Sequence, residues 1–477
     1  MNKLKTYSGW IVMALGVLAC FLFFQLYYPH HLLHREQVSL FLYSEEYILD
    51  RLMQPGGVSI LGGEFLIQFF YFIGGGATVV SLLLLLLGFV CYQGLRRWMG
   101  HWMALLLTVA VCLWEGGRLC LINYPLASTL SLIAVFTVLR LISWKGPKRF
   151  WKNAAALTCI ILFIPFQPLR GVKAWGKPNF YLEHLLAIDI NASYGKWEKV
   201  SQLTQKDLRT DYGTYYFNLS NALKGQLPEK LMSYYQPFSK GLFLPVDPSG
   251  NYLTFIAANE LWFMLGDMTM AEHSAILGMI STTDHQSSRI LKRMAEINLI
   301  NGDDEAALKY LRMLQKTWKY RDWANQRIPG KQTPAVQKWL EHKRQFIPQT
   351  DTLRASADAR LSLRHLLKSN PDNLLAYHYL LCYELLNKDI ASFAKDYIPG
   401  KELPCRLYHE AILIHLIRQN GNLTEDDFKT YQFTPEVLQD FQEYTRIYEQ
   451  NHGNGSALQA RYGKTYWFYY HFTTMKK

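Results

Sequence analysis

The chain has few charged residues for its length. Only 18% of its 477 residues are Asp, Glu, Lys or Arg, whereas a soluble globular protein carries about a quarter. Half of the residues are hydrophobic, and glycine is too rare for a collagen-like chain. The shortage of charge excludes a simple cytosolic enzyme and a disordered chain, and it favours a membrane protein. Seven cysteines in so long a chain also exclude a disulfide-stapled mini-protein.

The shortage of charge is confined to the first third of the chain. Residues 1–168 hold 12 of the 50 Lys and Arg residues and 6 of the 38 Asp and Glu residues. Residues 169–477 have the composition of an ordinary soluble domain. We therefore predict a transmembrane domain at 1–168 and a separate domain at 169–477.

Apolar runs in the first third predict membrane-spanning helices, which need about 20 apolar residues each. We predict five spans, at about 10–27, 70–92, 101–114, 121–143 and 153–168. No small-residue cleavage site follows the first run, so we interpret it as an uncleaved anchor. Two further segments, at about 37–52 and 58–69, are predicted to be helices at the membrane interface.

Basic residues predict the orientation, because Lys and Arg accumulate on the cytoplasmic side. If the N-terminus is cytoplasmic, the basic residues of the cytoplasmic segments are Lys3, Lys5, Arg96, Arg97, Arg140, Lys145, Lys148, Arg149 and Lys152. An odd number of spans then places everything after Pro168 outside the cytoplasm. The expected location is the inner membrane of a bacterial cell, with the second domain in the periplasm.

The second domain carries an internal repeat of helical periodicity. Gly266-Asp267 is followed by Ala271, and 36 residues later Gly302-Asp303 is followed by Ala307. Each copy lies between two apolar-periodic segments, and glycine suits the tight turn between them. Weaker copies pivot on Gly225, on Asn387-Lys388-Asp389 and on Gly421. The pattern predicts an all-α fold, with an α-solenoid of helix–turn–helix repeats and a basic, aromatic insertion at about 316–355.

Two resemblances extend this prediction. The segment Asn370–Tyr377, which contains Pro371, resembles the boundary between two tetratricopeptide-type repeats, although Leu381 and Phe393 stand where that family prefers small residues. The whole chain also resembles an uncharacterised family of bacterial multi-span membrane proteins, in the segments Gln54–Gly57, Glu64–Phe70, Arg293–Asn298 and Pro371–Leu375. The second resemblance implies an integral membrane protein with helical repeats outside the cytoplasm and no established activity.

Acidic residues of the first outer segment are the candidates for catalysis. Glu45, Glu46 and Asp50 lie between the first two predicted spans, and Glu64 lies in the next apolar run. An ionisable group at membrane depth is costly and tends to be functional. A membrane enzyme that processes lipids or transfers sugars would place its acidic base here. Alternatively, these residues form the solvated face of an interfacial helix, and Glu64 is interfacial or pairs with Arg118.

Histidines and cysteines offer weaker candidates. His30 and His34 are four residues apart, with Glu36 nearby, and could share a metal. Three histidines at a membrane boundary are more often simply interfacial, so no metal and no cofactor is predicted. Cys382 and Cys405 are the cysteines of the second domain, and they could form a disulfide in an oxidising compartment if their helices adjoin.

The insertion carries the clearest candidate binding surface. Its basic and aromatic residues include Lys319, Arg321, Trp323, Arg327 and Lys331. Outside the cytoplasm the available partners are anionic lipid headgroups or acidic glycans, and not nucleic acid. Alternatively, the insertion is a solvated loop whose aromatic residues pack on the repeats.

The leading functional hypothesis is a membrane-anchored scaffold of the cell envelope without catalytic activity. Membrane lipids would surround its anchor, and stacked repeats would offer a concave groove to a protein or peptide partner. The alternative is a membrane enzyme or transporter that acts on a lipid-linked or sugar substrate at the outer leaflet. A sensor is a third possibility, weakened by cytoplasmic loops that are too short to form a domain.

Overall fold

The computed structural model describes residues 2–142, 149–164, 175–205, 210–247, 250–282, 285–349, 358–401 and 404–474. Within these ranges the chain forms 26 α-helices and no β-strand, in agreement with the predicted all-α class. The first predicted boundary, at Pro168, and the end of the predicted insertion, at 350–355, lie outside the described residues.

The helices of the first half follow one another closely. They are α1 (Asn2–Leu22), α2 (His30–Gln37), α3 (Glu45–Leu52), α4 (Gly57–Ile67), α5 (Gly75–Met99), α6 (His101–Leu119), α7 (Leu126–Ile142), α8 (Arg149–Phe163), α9 (Phe180–Ser193), α10 (Trp197–Thr204), α11 (Asp211–Ala222) and α12 (Leu227–Leu231). A π-helical turn at Phe23–Tyr27 continues α1, and 3-10 turns lie at Gln68–Tyr71 and Phe238–Gly241.

The remaining helices complete the chain. They are α13 (Tyr252–Leu265), α14 (Met268–Ile280), α15 (Ser288–Asn301), α16 (Asp304–Gln315), α17 (Arg321–Asn325), α18 (Pro334–Arg344), α19 (Ala359–Ser369), α20 (Leu374–Leu386), α21 (Ile390–Asp396), α22 (Arg406–Asn420), α23 (Glu425–Tyr431), α24 (Pro435–Gln450), α25 (Ser456–Tyr462) and α26 (Tyr466–Phe472).

Two helices in the described residues, α5 and α6, are long and apolar enough to cross a membrane. A third span is added if α1 and α2, which meet at a bend of 76°, count as one broken span. The apolar helices α4, α7 and α8 are shorter. Length and composition therefore support two or three of the five predicted spans.

The predicted interfacial helix at 37–52 is wrong as a single element. The structure has α2 and α3 there, separated by a segment without helical structure, 39–44. In this segment the Tyr43 amide donates to the carbonyl oxygen of Lys316 at 2.7 Å. Because the Tyr43 amide bonds to a distant part of the chain, it cannot donate to a carbonyl oxygen within a local helix. The helix is therefore interrupted here.

Helix α4, predicted at the interface as 58–69, packs closely against α7. A Cβ atom placed on Gly63 would lie 2.7 Å from the backbone nitrogen of Ala127. The hydroxyl groups of Ser59 on α4 and Ser131 on α7 both donate to the carbonyl oxygen of Phe163 at 2.7 Å. Helix α4 therefore packs against the other apolar helices.

The chain divides into two compact units whose borders differ from the predicted ones. Unit 1 comprises residues 1–190 and 279–337, and unit 2 comprises residues 191–278 and 338–477. Most of α9, the pair α15–α16 and α17 thus belong with the apolar helices. Ion pairs join these segments within unit 1: Asp189 bonds to Arg289 at 2.6 Å, and Glu36 bonds to Lys319 at 2.7 Å.

Both copies of the Gly-Asp element lie at turns between helices. Gly266 and Gly302 end α13 and α15 in the left-handed region, with φ of 94° and 80°. The following Asp267 and Asp303 accept hydrogen bonds from backbone amides three residues on, both at 3.0 Å. The other predicted pivots also have a positive φ, at Gly225, Lys388 and Gly421.

Candidate functional site

Glu64, the foremost catalytic candidate, is held by two residues of α3. The hydroxyl of Tyr47 donates to its Oε2 at 2.7 Å, and Nε of Arg51 lies 3.3 Å from its Oε1. Arg118, the alternative partner considered for Glu64, pairs with Glu115 instead, at 3.3 Å. The other acidic candidates, Glu45, Glu46 and Asp50, are exposed on α3.

Lys319 of the predicted insertion turns inward to a second carboxylate of unit 1. Its Nζ lies 2.7 Å from Oε2 of Glu36, and the Tyr320 hydroxyl donates to Oε1 of the same carboxylate at 3.1 Å. The ammonium group also lies 3.6 Å from the centre of the Tyr71 ring. Burial lowers the pKa of Lys319 to about 8, although Glu36 opposes the shift.

Glu36, Glu64 and Lys319 line one small cavity, together with Tyr320 and Ser288. Two separate sets of candidates, the acidic first segment and the basic insertion, therefore meet at one place. The cavity measures about 20 Å³, which is room for about one water molecule. The group can hold a water or a proton between its charges, but a sugar or a lipid headgroup does not fit.

Of the remaining basic candidates, Arg327 lies over the ring of Trp323. The ring of Trp323 has Arg327 at 4.1 Å and Lys292 at 5.1 Å from its centre. Arg321 donates to the carbonyl oxygen of Gln315 at 3.1 Å, and Lys331 is exposed. The five predicted binding residues thus do not form one surface, because Lys319 belongs to the buried group.

The histidine candidates make contacts within unit 1. Nδ1 of His30 lies 2.9 Å from Glu183, and His34 is buried. Glu36, expected near a shared metal, bonds to Lys319 instead. The described residues contain no group of three His, Cys, Asp or Glu side chains arranged to hold a metal ion.

The disulfide that Cys382 and Cys405 could form is absent from the structure. Cys382 and Cys405 are both buried free thiols. Burial raises the pKa of Cys405 to about 11 and that of Cys382 well above its ordinary value. At neutral pH both side chains are therefore protonated and act as small apolar residues.

A buried group around Glu115 escaped prediction. Its carboxylate is fully buried and accepts hydrogen bonds from the hydroxyls of Tyr124 at 2.7 Å and Thr129 at 2.6 Å, and it pairs with Arg118. The span predicted at 101–114 ends before Glu115, but α6 continues to Leu119. A Glu and an Arg three residues apart at the end of an apolar run were the available signal.

Unit 2 contains a larger cavity, of about 410 Å³. Its floor is aromatic, since the ring of Phe243 lies 5.0 Å from that of Trp262 and 5.7 Å from that of Tyr383. Charged and polar residues of both signs also line it, namely Ser239, Lys240, Asp247, His273, Asp358 and Ser362. Sequence reasoning missed this cavity, because its lining comes from separate helices and a turn.

A cluster of ion pairs lies on the helices α19 to α21. Arg364 bonds to Glu384 at 3.0 Å and to Asp396 at 2.7 Å, and Arg360 bonds to Asp389 at 2.7 Å. Burial, reinforced by the nearby Asp396, raises the pKa of Glu384 to about 8. These pairs join consecutive helices and are best explained as contacts that hold the helices together.

Fold and sites together define an all-helical protein with apolar helices in one unit and a mixed aromatic and charged cavity in the other. The chain belongs to the family of unknown function DUF6057, whose model matches residues 3–168 and 147–473. No curated protein and no solved structure matches the chain.

Proposed function

We propose that this chain is a membrane-anchored scaffold of the cell envelope, in which unit 2 binds an extended peptide segment of a partner protein. The observation that carries the proposal is the cavity of about 410 Å³ in unit 2. Its aromatic floor suits an apolar or aromatic side chain, and the charged residues at its sides suit the polar backbone and neighbouring groups of a peptide.

Exposed apolar side chains support the membrane anchor. Large hydrophobic residues face outward on α1, α5 and α6, among them Leu15, Leu82, Leu106 and Leu113. An apolar surface of this extent on long apolar helices is typical of contact with lipid. We propose five spans, formed by α1, α5, α6, α7 and α8, and a tetratricopeptide-like arrangement of the repeats.

The proposed orientation places the N-terminus in the cytoplasm and unit 2 in the periplasm. Fusions of green fluorescent protein and of alkaline phosphatase, after Arg97 and after Lys477, test it. We expect fluorescence at the first position and phosphatase activity at the second. Fluorescence at both would place unit 2 in the cytoplasm and contradict the proposed location.

An enzyme at Glu64 has less support. Both carboxylates of that region are engaged by cations, and the cavity beside them holds about one water molecule. A reaction on a lipid-linked sugar needs a site that admits the substrate.

Peptide binding can be tested with a random peptide library and the purified full-length protein in detergent. Ser239 lines the cavity, whereas Ser233 is exposed and lies outside its lining. We expect Ser239→Trp to weaken the binding of selected peptides at least about tenfold, a change of ~1.4 kcal/mol. The control Ser233→Trp should bind them like the wild type. Equal binding by both variants, or no selected peptide, would contradict the proposed function.

A further inference from the structure

A long apolar groove lies between α1 and α6 in unit 1. Both helices pack on α5, and together the three leave a cavity of about 500 Å³. The lining residues of α1 and its π-helical turn extend from Val12 to Phe24, about 18 Å of helix. That length is more than half of the ~30 Å hydrocarbon core of a bilayer.

The walls of the groove favour a hydrocarbon occupant. A Cβ atom on Gly16 would meet no atom within 4 Å, so the space beside this residue is open. The lining side chains are aliphatic, aromatic, thioether or thiol groups apart from Thr108. The hydroxyl of Thr108 donates to the carbonyl oxygen of Ala104 in its own helix at 2.7 Å. A polar ligand would therefore lose its hydrogen bonds to water here and gain few hydrogen bonds from the protein.

One end of the groove carries a positive charge. The segment Gly176–Pro178 crosses the C-terminal end of α6, where a Cβ atom on Gly117 would lie 2.5 Å from the carbonyl oxygen of Gly176. Pro178 lines the groove, and the neighbouring Lys177 and Trp175 are exposed. A cation and an indole beside an apolar groove match the phosphate and glycerol region of a phospholipid.

We infer that this groove binds one acyl chain of a phospholipid whose phosphate faces Lys177. The inference rests on the proposed membrane location and adds a specific lipid site to it. The site is distinct from the polar cavity at Glu36 and from the cavity of unit 2, because the three share no lining residue.

The experiment counts the phospholipid retained by the full-length protein after purification in mild detergent, by extraction and mass spectrometry. Gly16→Leu places a side chain in the open space, whereas Ala14→Leu adds the same kind of side chain at an exposed position of α1 outside the lining. We expect about one phospholipid per chain in the wild type and in Ala14→Leu, and about tenfold less retained phospholipid in Gly16→Leu. Equal retention by all three would overturn the inference.

A second pair of variants keeps the test valid if Gly16→Leu does not fold. Val109→Phe fills the groove from α6, and Leu106→Phe is its exposed control outside the lining. Retention by Val109→Phe at the wild-type level would also overturn the inference. Sedimentation with carbonate-washed membranes tests the membrane location separately, so the failure of the lipid site is distinguishable from the failure of the proposed anchor.

The headgroup is tested with added phosphatidylglycerol and phosphatidylcholine. We expect the wild type to prefer the anionic lipid, and Lys177→Gln to reduce that preference about fivefold while the acyl chain still binds. An unchanged preference in Lys177→Gln would overturn the assignment of the phosphate to this residue.

Discussion

Both units pair ionisable side chains of opposite type, but the paired residues are separated very differently along the chain. In unit 1, Lys319 bonds to Glu36 across 283 residues, and Arg289 bonds to Asp189 across 100. In unit 2, Arg364 reaches Glu384 and Asp396 across 20 and 32 residues. These ion pairs of unit 2 thus join helices that are close along the chain, and those of unit 1 join distant segments.

The difference has a consequence for stability. A contact between neighbouring helices closes a short loop, so little of the chain is released when the contact breaks. A contact between distant segments closes a long loop. When the contact breaks, the residues of that loop are no longer held in place. We therefore expect substitutions at the distant pairs of unit 1 to have larger effects than substitutions at the local pairs of unit 2.

The largest effect is expected from Lys319→Met. The substitution leaves the carboxylate of Glu36 buried with Tyr320 as its remaining hydrogen-bond partner in this group. Removing one partner of a buried ion pair costs about 3–5 kcal/mol. The thermal midpoint of the full-length protein in detergent should fall accordingly, and hydrogen exchange should rise in the segments around Tyr43 and Lys319.

Two further variants serve as controls for this prediction. Lys331→Met removes an exposed lysine of the same stretch and should change the stability little. Glu36→Gln combined with Lys319→Met removes both charges and should recover part of the loss. A midpoint for Lys319→Met like that of Lys331→Met would show that the distant pair does not stabilise unit 1.

A pH dependence is expected from Glu384 in unit 2. Because burial raises its pKa from 4.5 to about 8, the folded protein holds this proton where the unfolded chain has lost it. The stability from this group is full below about pH 4.5 and falls as the pH rises toward 8, by at most about 1.4 kcal/mol per pH unit. Glu384→Gln should abolish that fall, and thermal midpoints between pH 5 and 8.5 measure it.

The exposed Glu425 supplies the matched control. Glu425→Gln should keep the pH dependence of the wild type. If Glu384→Gln showed the same slope as this control, the local cluster of unit 2 would not hold a buried proton.

Much of unit 2 could be predicted from the sequence, because its signals are local. Gly266 marks a turn by its spacing from the buried Ala271, and Asn373 caps α20 after Pro371. The match to a family of unknown function likewise agrees with the resemblance to an uncharacterised family. The cavity of unit 2 was not predictable, because its aromatic floor joins residues that are far apart in sequence.

Unit 1 was less predictable for the same physical reason. The sequence identifies Glu64 as unusual, because a carboxylate in an apolar run needs a partner, but it does not identify Arg51 as that partner. The sequence around Lys319 has the pattern of an exposed basic surface. The partner of Lys319, Glu36, lies 283 residues away. Such pairs depend on how distant helices pack together, and a local sequence pattern does not predict that packing.

A moderate effect is expected from the close approach of α4 and α7. Gly63→Ala would place a Cβ atom 2.7 Å from the backbone nitrogen of Ala127, whereas Gly62→Ala would meet a side-chain carbon of Leu130 at 3.2 Å. A side chain can move more readily than a backbone, so only Gly63→Ala forces the helices apart. We expect it to cost about 1–3 kcal/mol, and thermal midpoints should separate the two variants. Equal midpoints would mean that this contact is not tight.

The smallest effect is expected at an exposed pair of unit 2. Asp440 bonds to Arg406 at 2.7 Å and to Arg461 at 3.3 Å, and both arginine side chains are about half exposed, at 48% and 57%. Exposed ion pairs contribute about 0.2–1 kcal/mol, and Arg406 keeps Glu410 at 2.8 Å. Asp440→Asn should therefore lower the thermal midpoint only slightly. The difference from the wild type should vanish in 1 M salt, where charges are screened beyond about 3 Å. A loss as large as that of Lys319→Met would mean that burial and chain separation do not govern the strength of these pairs, and the contrast between the two units would fail.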